Sequence, residues 1–205
     1  MKKIIVTLTT LVSFNYITLA HAEFLPKSFS AQFEQEYVST LKGKVKKGNG
    51  TIDYLYPGNI RFKTTIPSEI LFVSNGIKSW YYRAPFIEGE EGEVTETSAK
   101  EGSGIFTRFF DSLKNGLSDN AIYTVSKKDK ESTITFLEKS KKETGISVAI
   151  LKFNKSLQDF SNLQSIELIF PDTKHSTIKL KNIKINPALD SKNFQFTIPP
   201  KTKRV

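Results

Sequence analysis

With 205 residues and no cysteine, the chain has room for one well-cored domain and cannot use a disulfide, a thiolate-held metal or a lipid-anchoring cysteine. Its 30 Lys and Arg against 21 Asp and Glu give a formal charge of +9, which suits anionic surfaces or acidic partners. Its two histidines, His21 and His175, leave general acid–base chemistry little to work with.

The first 22 residues read as a signal peptide. Lys2 and Lys3 form a positive n-region, residues 4–19 an apolar stretch broken by small polar residues, and Ala20-His21-Ala22 an A-x-A cleavage site. Cleavage after Ala22 leaves a soluble, exported domain of residues 23–205 with a formal charge of +7. Nucleic acid is not expected as a partner there, and no later stretch is long enough to span a bilayer.

From residue 29 the dominant pattern is short β runs of period two. Phe29, Ala31 and Phe33 alternate with Ser30, Gln32 and Glu34; Lys46 to Gly50 (KKGNG) reads as a turn; then Ile52, Tyr54 and Tyr56 share a face. Pro57-Gly58 turns the chain, and Ile60, Phe62 and Thr64 oppose Asn59, Arg61 and Lys63. A strand over 69–74, which includes Phe72, leads to Asn75-Gly76, the signature of a type I′ hairpin turn. The next strand, 77–83, carries Trp80, Tyr81 and Tyr82 and is followed by Phe86. Four large rings in seven residues exceed what one strand face buries.

Residues 87–120 break the β rhythm and read as an insertion. An acidic, glycine-rich stretch precedes Ile105, Phe106, Phe109, Phe110 and Leu113, whose spacing predicts one short amphipathic helix stopped by Gly116. The helix either caps the sheet as ordinary core or, flanked by glycines at 102, 104 and 116, forms a lid over an apolar concavity. Strands are then predicted over 121–126, 132–138, 146–153, 163–170, 177–185 and 194–198. The fold class is mainly β with a few helices: an antiparallel meander curling into a partial barrel or sandwich.

No Walker loop, G-x-G-x-x-G, G-x-S-x-G elbow or metal-ligand spacing occurs. Ser39-Thr40-Leu41-Lys42 and Ser118-Asp119-Asn120 match two elements of penicillin-recognising enzymes, but Glu143-Thr144-Gly145 stands where K-T-G is required, and Ser39 ends a strand where that serine must open a buried helix. The cluster Glu88, Glu90, Glu91, Glu93 and Glu96 lacks a calcium-loop pattern and reads as a solvated loop or docking surface. No catalytic residue, metal or cofactor is expected.

Taken in order, Phe29-x-Ala31-x-Phe33 with Gln35, Gly50-Thr51-Ile52, Ile60-Arg61-Phe62 after Pro57, Pro67, Val73-Ser74-Asn75-Gly76, Trp80-Tyr81-Tyr82, Pro85-Phe86 and the closing Phe194-Gln195-Phe196-Thr197-Ile198-Pro199-Pro200 resemble the LolA family of periplasmic lipoprotein carriers. The resemblance implies a single, strongly curved antiparallel sheet forming an incomplete β-barrel with a helical lid. It also implies a monomeric periplasmic chaperone, not an enzyme, that holds the acyl chains of lipoproteins. Such a carrier receives cargo from an inner-membrane ABC-type release complex and delivers it to an outer-membrane acceptor or to the outer membrane directly.

The family's cavity-facing pair after the proline falls on Ile60 and Phe62, and its lid helix on residues 105–113. The expected acyl-chain cavity and lid comprise Phe33, Tyr54, Tyr56, Ile60, Phe62, Phe72, Trp80, Tyr82, Phe106, Phe109, Phe110 and Leu113. Tyr56 stands where the family carries a latching arginine, which leaves Arg61 and Arg108 as candidate replacements. Residues 23–27 leave almost no room for the family's N-terminal helix, so fewer helices are expected over the cavity. The sequence admits two other readings. One is a periplasmic lipid- or lipoprotein-sensing module; the other, a glycan-binding β module, fits poorly with rings that alternate with Lys and Asp across faces.

Overall fold

The computed structural model describes residues 23–38 and 45–205. The leader read at residues 1–22, its cleavage after Ala22 and the S-x-x-K at residues 39–42 lie outside them.

The first half of the chain forms β1 (Ser28–Val38), β2 (Val45–Leu55), β3 (Asn59–Ile66), β4 (Ile70–Asn75), β5 (Lys78–Arg83) and β6 (Gly92–Ser98). Two helices, α1 (Ala99–Gly102) and α2 (Ile105–Ser112), lead into β7 (Tyr123–Lys128) and β8 (Glu131–Phe136). After α3 (Glu138–Thr144) come β9 (Val148–Phe153), β10 (Leu163–Ile169), β11 (His175–Ile185) and β12 (Thr202–Arg204). The 12 strands of the described residues belong to one sheet, in the order β12-β6-β5-β4-β3-β2-β1-β11-β10-β9-β8-β7. Neighbours pair antiparallel except β12, which runs parallel to β6.

The sheet is not closed into a barrel, because β12 and β7 end it without pairing with each other. Two meanders, β1 to β6 and β7 to β11, meet at the β1–β11 pairing. The segment holding α1 and α2 therefore joins strands near the two opposite ends of the sheet, which takes it across the concave side. Buried side chains from β1, β2, β3 and β8 to β11 form one cluster around Phe109, Phe110 and Leu113 of that segment. Burying each such ring or aliphatic side chain contributes about 1.5–3 kcal/mol, and these rings tie the two halves together.

The outer face carries a second, smaller cluster. Leu71 and Val73 of β4, Trp80 and Tyr82 of β5 and Val94 of β6 pack under Phe194, Phe196 and Ile198. Residues 194–198, predicted as a strand, are not one: Phe194 ends a 3₁₀ turn (Ser191–Phe194) capped by Asp190, and the chain then crosses the outer face. Pro199 and Pro200 lack the N–H groups a ladder needs, and pairing resumes only in β12.

Other boundaries shift for identifiable reasons. Lys46 to Gly50 is no turn but the first half of β2, paired with β1 from Tyr37 to Phe33. Gly50 serves close approach at a ladder irregularity: a Cβ there would lie 1.8 Å from the Lys63 carbonyl oxygen and 2.9 Å from the Phe33 ring. In the β4–β5 hairpin the central residues are Gly76 and Ile77, and of these only Gly76 has a positive φ, the pattern of a type II′ rather than a type I′ turn. Asn75 instead accepts the backbone N–H groups of Ile77 and Lys78 at 3.0 and 2.8 Å.

Within the 87–120 stretch, residues 92–98 are β6, a charged, near-edge strand hidden in the sequence by Glu93 and Glu96, which lie on opposite faces of it. The predicted strand over 132–138 stops at Phe136, and Leu137 is the N-cap of α3.

Candidate functional site

The helix predicted at 105–113 is α2 extended by a 3₁₀ turn (Leu113–Asn115), and Gly116, at φ 79°, ends it as expected. Its apolar stripe faces the sheet: Phe109, Phe110 and Leu113 are fully buried, while Ile105 and Phe106 at its start are half-buried. Gly102 and Gly104 serve contact here. A Cβ on Gly102 would meet Thr97 Oγ1 at 1.7 Å, and one on Gly104 would meet the Phe72 ring at 2.8 Å, so both let the segment lie directly on β4 to β6.

Polar contacts hold the two ends of the segment differently. At the C-terminal end, the Tyr54 hydroxyl donates to Asp111 Oδ1 at 2.6 Å, and the Gly58 N–H donates to the same oxygen at 3.0 Å. Burial first, and then the Asp111 charge, push the Tyr54 phenol well above its ordinary pKa, so it remains a donor. The Tyr123 hydroxyl donates to the Gly116 carbonyl at 2.6 Å, and burial pushes its pKa up to about 12. Lys114 lies 5.1 Å from the Tyr56 ring centroid and pairs with Glu23.

At the N-terminal end, Arg108 donates to the Ser103 carbonyl and, at 3.3 Å, to the Thr144 carbonyl at the end of α3; burial lowers its pKa. Arg108 thus braces the lid against α3 and does not bond the sheet. Arg61, the other candidate latch, is on the outer face beside Tyr82 and Phe196. The tethers to the sheet are acceptors on the lid, Asp111 at its far end and the Gly102 carbonyl, which takes the Ser79 hydroxyl at 3.0 Å, and the helix pattern gave no sign of them.

Beside Phe106 the concave face opens into a cavity of about 520 Å³. Phe62, Ile70, Phe72, Tyr81, Ile105 and Phe106 line it, with Lys46, Thr64, Pro67 and Ser68 toward the rim. Phe62 is stacked between Phe33 (centroids 4.4 Å apart) and Phe106 (5.1 Å, planes within 5°). The cavity volume lies within the usual range for ligand sites, about 300–1,000 Å³. A second cleft of about 470 Å³ includes Glu23, Lys114, Lys127 and Asp159 among its lining, a more charged setting.

The expected site residues divide three ways. Phe62, Phe72 and Phe106 line the cavity, with Phe33 stacked directly behind Phe62. Tyr54, Ile60, Phe109, Phe110 and Leu113 are fully buried in the core under the lid, and Tyr56 is half-buried against Lys114. Trp80 and Tyr82 are not brought to the cavity at all: strand alternation turns them outward onto Phe196, with ring centroids 6.4 and 5.5 Å away. Tyr81, absent from the expected set, points inward in their place. Its signal was the cross-strand row, since Phe62 pairs with Phe72 and Phe72 with Tyr81.

His175 lies 3.2 Å from Glu167 on the surface. Among the described residues no group of three or more His, Cys, Asp or Glu is placed to hold a metal ion, and no helix is long and apolar enough to cross a membrane.

The family model described as outer membrane lipoprotein carrier protein LolA matches residues 26–197. The chain is 33% identical over 176 residues to the outer-membrane lipoprotein carrier protein of Pectobacterium carotovorum subsp. carotovorum, which covers 85% of this chain and 78% of that one. The protein of the same description from Francisella philomiragia is 26% identical over 212 residues, covering 98% and 96% of the two chains. Among solved structures, a LolA superfamily protein from Nitrosomonas europaea is similar with a TM-score of 0.45 and 12% identity, over 83% of this chain and 91% of that one.

Proposed function

The chain belongs to the LolA family of outer membrane lipoprotein carrier proteins, and from that premise we propose that it binds the acyl chains of lipoproteins in the cavity beside Phe62 and Phe106 and shuttles them across the periplasm. The observation that carries this reading is an apolar concavity whose outer wall is the start of α2. The bonds from the sheet to the lid flank this wall: the Ser79 hydroxyl donates to the Gly102 carbonyl at 3.0 Å ahead of α2, and Asp111, Ser112 and Gly116 accept at its far end. Between these anchors Ile105 and Phe106 meet the sheet through apolar contact, so that turn can lift while both flanks stay fixed.

Acyl burial is worth about 0.8 kcal/mol per CH₂, and a bilayer offers nearly the same gain. A carrier must resemble lipid without surpassing it, or cargo never leaves. Parting Phe106 from Phe62 exchanges ring-to-ring contact for ring-to-chain contact at little net cost, which keeps affinity moderate. Residues 23–205 act as one carrier domain, working as a monomer. The donor is an inner-membrane ABC-type release complex, and the receiver is an outer-membrane acceptor or the outer membrane itself.

The Phe62→Glu variant tests the cavity. An unpaired carboxylate in this wall opposes chain entry, so the variant is expected to keep its circular dichroism spectrum and lose co-purifying lipoprotein. Normal loading of the variant would contradict the assignment.

A further inference from the structure

Tyr81 stands at one side of the cavity. That ring also lines a side cleft of about 200 Å³ with Arg83, Glu93, Thr95 and Val205. The β5–β6 register sets Tyr81 opposite Thr95 and Arg83 opposite Glu93, so the apolar row Phe62–Phe72–Tyr81 runs directly into a polar strip on the same face. The Arg83 guanidinium carbon lies 5.9 Å from the Tyr81 ring centroid, and Nη1 donates to Glu93 Oε2 over a long 3.4 Å. A guanidinium has five N–H donors, so most of its capacity is free. The Tyr81 and Thr95 hydroxyls make no hydrogen bond within the described residues. One ring therefore separates an oily wall from a donor-rich one.

Resting on the carrier reading above, we propose that the Tyr81, Arg83, Glu93 and Thr95 cleft is the polar subsite for the carbonyl-bearing head of an acylated peptide. Ester and amide carbonyls at the end of a chain drawn into the cavity lose water at its boundary. Arg83 and the two hydroxyls replace that water as donors, and Glu93 accepts from the first peptide N–H groups. The subsite gives the carrier a preference that hydrocarbon contact cannot supply, because a site built to bond particular groups disfavours ligands without them.

The test compares two competitors displacing an apolar fluorescent dye from the purified protein: a synthetic peptide with a triacylated N-terminal cysteine, and 1-hexadecanol, which has a chain but no carbonyl. Arg83→Met is expected to bind the peptide about tenfold more weakly and hexadecanol as the wild type does. Thr95→Val is expected to shift the same way by a smaller factor. Unchanged peptide affinity in both variants, or equal losses for both competitors, would overturn the subsite. Wild-type protein that binds neither competitor would overturn the carrier reading itself.

Discussion

Asp111 illustrates how one side chain sets the behaviour of the lid. Its Oδ1 accepts from a buried phenol and a backbone amide, and hydrogen bonds to charged groups contribute about 1.5–3 kcal/mol each. Asp111→Ala should lower stability by about 3 kcal/mol or more in urea titrations and speed amide exchange along α2; unchanged stability would remove it as a tether. The two buried tyrosines that bond the lid, Tyr54 at Asp111 and Tyr123 at Gly116, also set an alkaline limit. Tyr54 and Tyr123 both hold their protons more tightly folded than unfolded, so their contribution is complete below the unfolded value near pH 10 and is lost as pH rises above it, toward about 12 for Tyr123. The melting temperature of the wild type should fall across that window more steeply than that of the Tyr54→Phe, Tyr123→Phe double variant. Parallel curves would contradict this. None of it was legible in the sequence, where Asp111 is one charge on the polar flank of a helix and the resemblance implies an arginine latch.

At the scale of elements, β5 shows what alternation can and cannot say. The period-two pattern predicts that Trp80 and Tyr82 share one face and Tyr81 the other, yet it does not say which face is concave. That is decided by the partners: Phe72 opposes Tyr81 on the lid side, and the terminal segment with Phe194 and Phe196 covers the outer side. A covering segment from over 100 residues away leaves no local trace in the strand it covers. The consequence is a pair of opposite phenotypes. Tyr82→Ala removes a buried ring and should cost about 3 kcal/mol of stability with acyl binding kept. Tyr81→Ala, at a ring 40% exposed, should cost less than about 1 kcal/mol and weaken acyl binding several-fold. Thermal melts together with dye displacement would separate them, and a reversal of the two would place the cavity on the wrong face. The lid helix, by contrast, was legible to within a residue, because its 3.6-residue stripe interrupts strands of period two.

For the whole molecule, topology explains why one segment is both core and door. An open sheet with its two meanders joined at β1 and β11 leaves a concave face to be covered, and the connection from β6 to β7 must cross that face. Half of α2 is therefore buried as firmly as any strand, while its first turn borders open space. The curved open sheet was legible in the run of short alternating strands and in the resemblance. The parallel β12 was not, because three residues of charge and threonine after a proline pair carry no strand signal. The central claim is that the concavity takes acyl chains, and native mass spectrometry of the protein with a triacylated lipoprotein in mild detergent, beside the unacylated form of that lipoprotein, tests it most directly. A one-to-one complex with the acylated form alone is the predicted result. No complex, or equal binding of the unacylated form, would contradict the account.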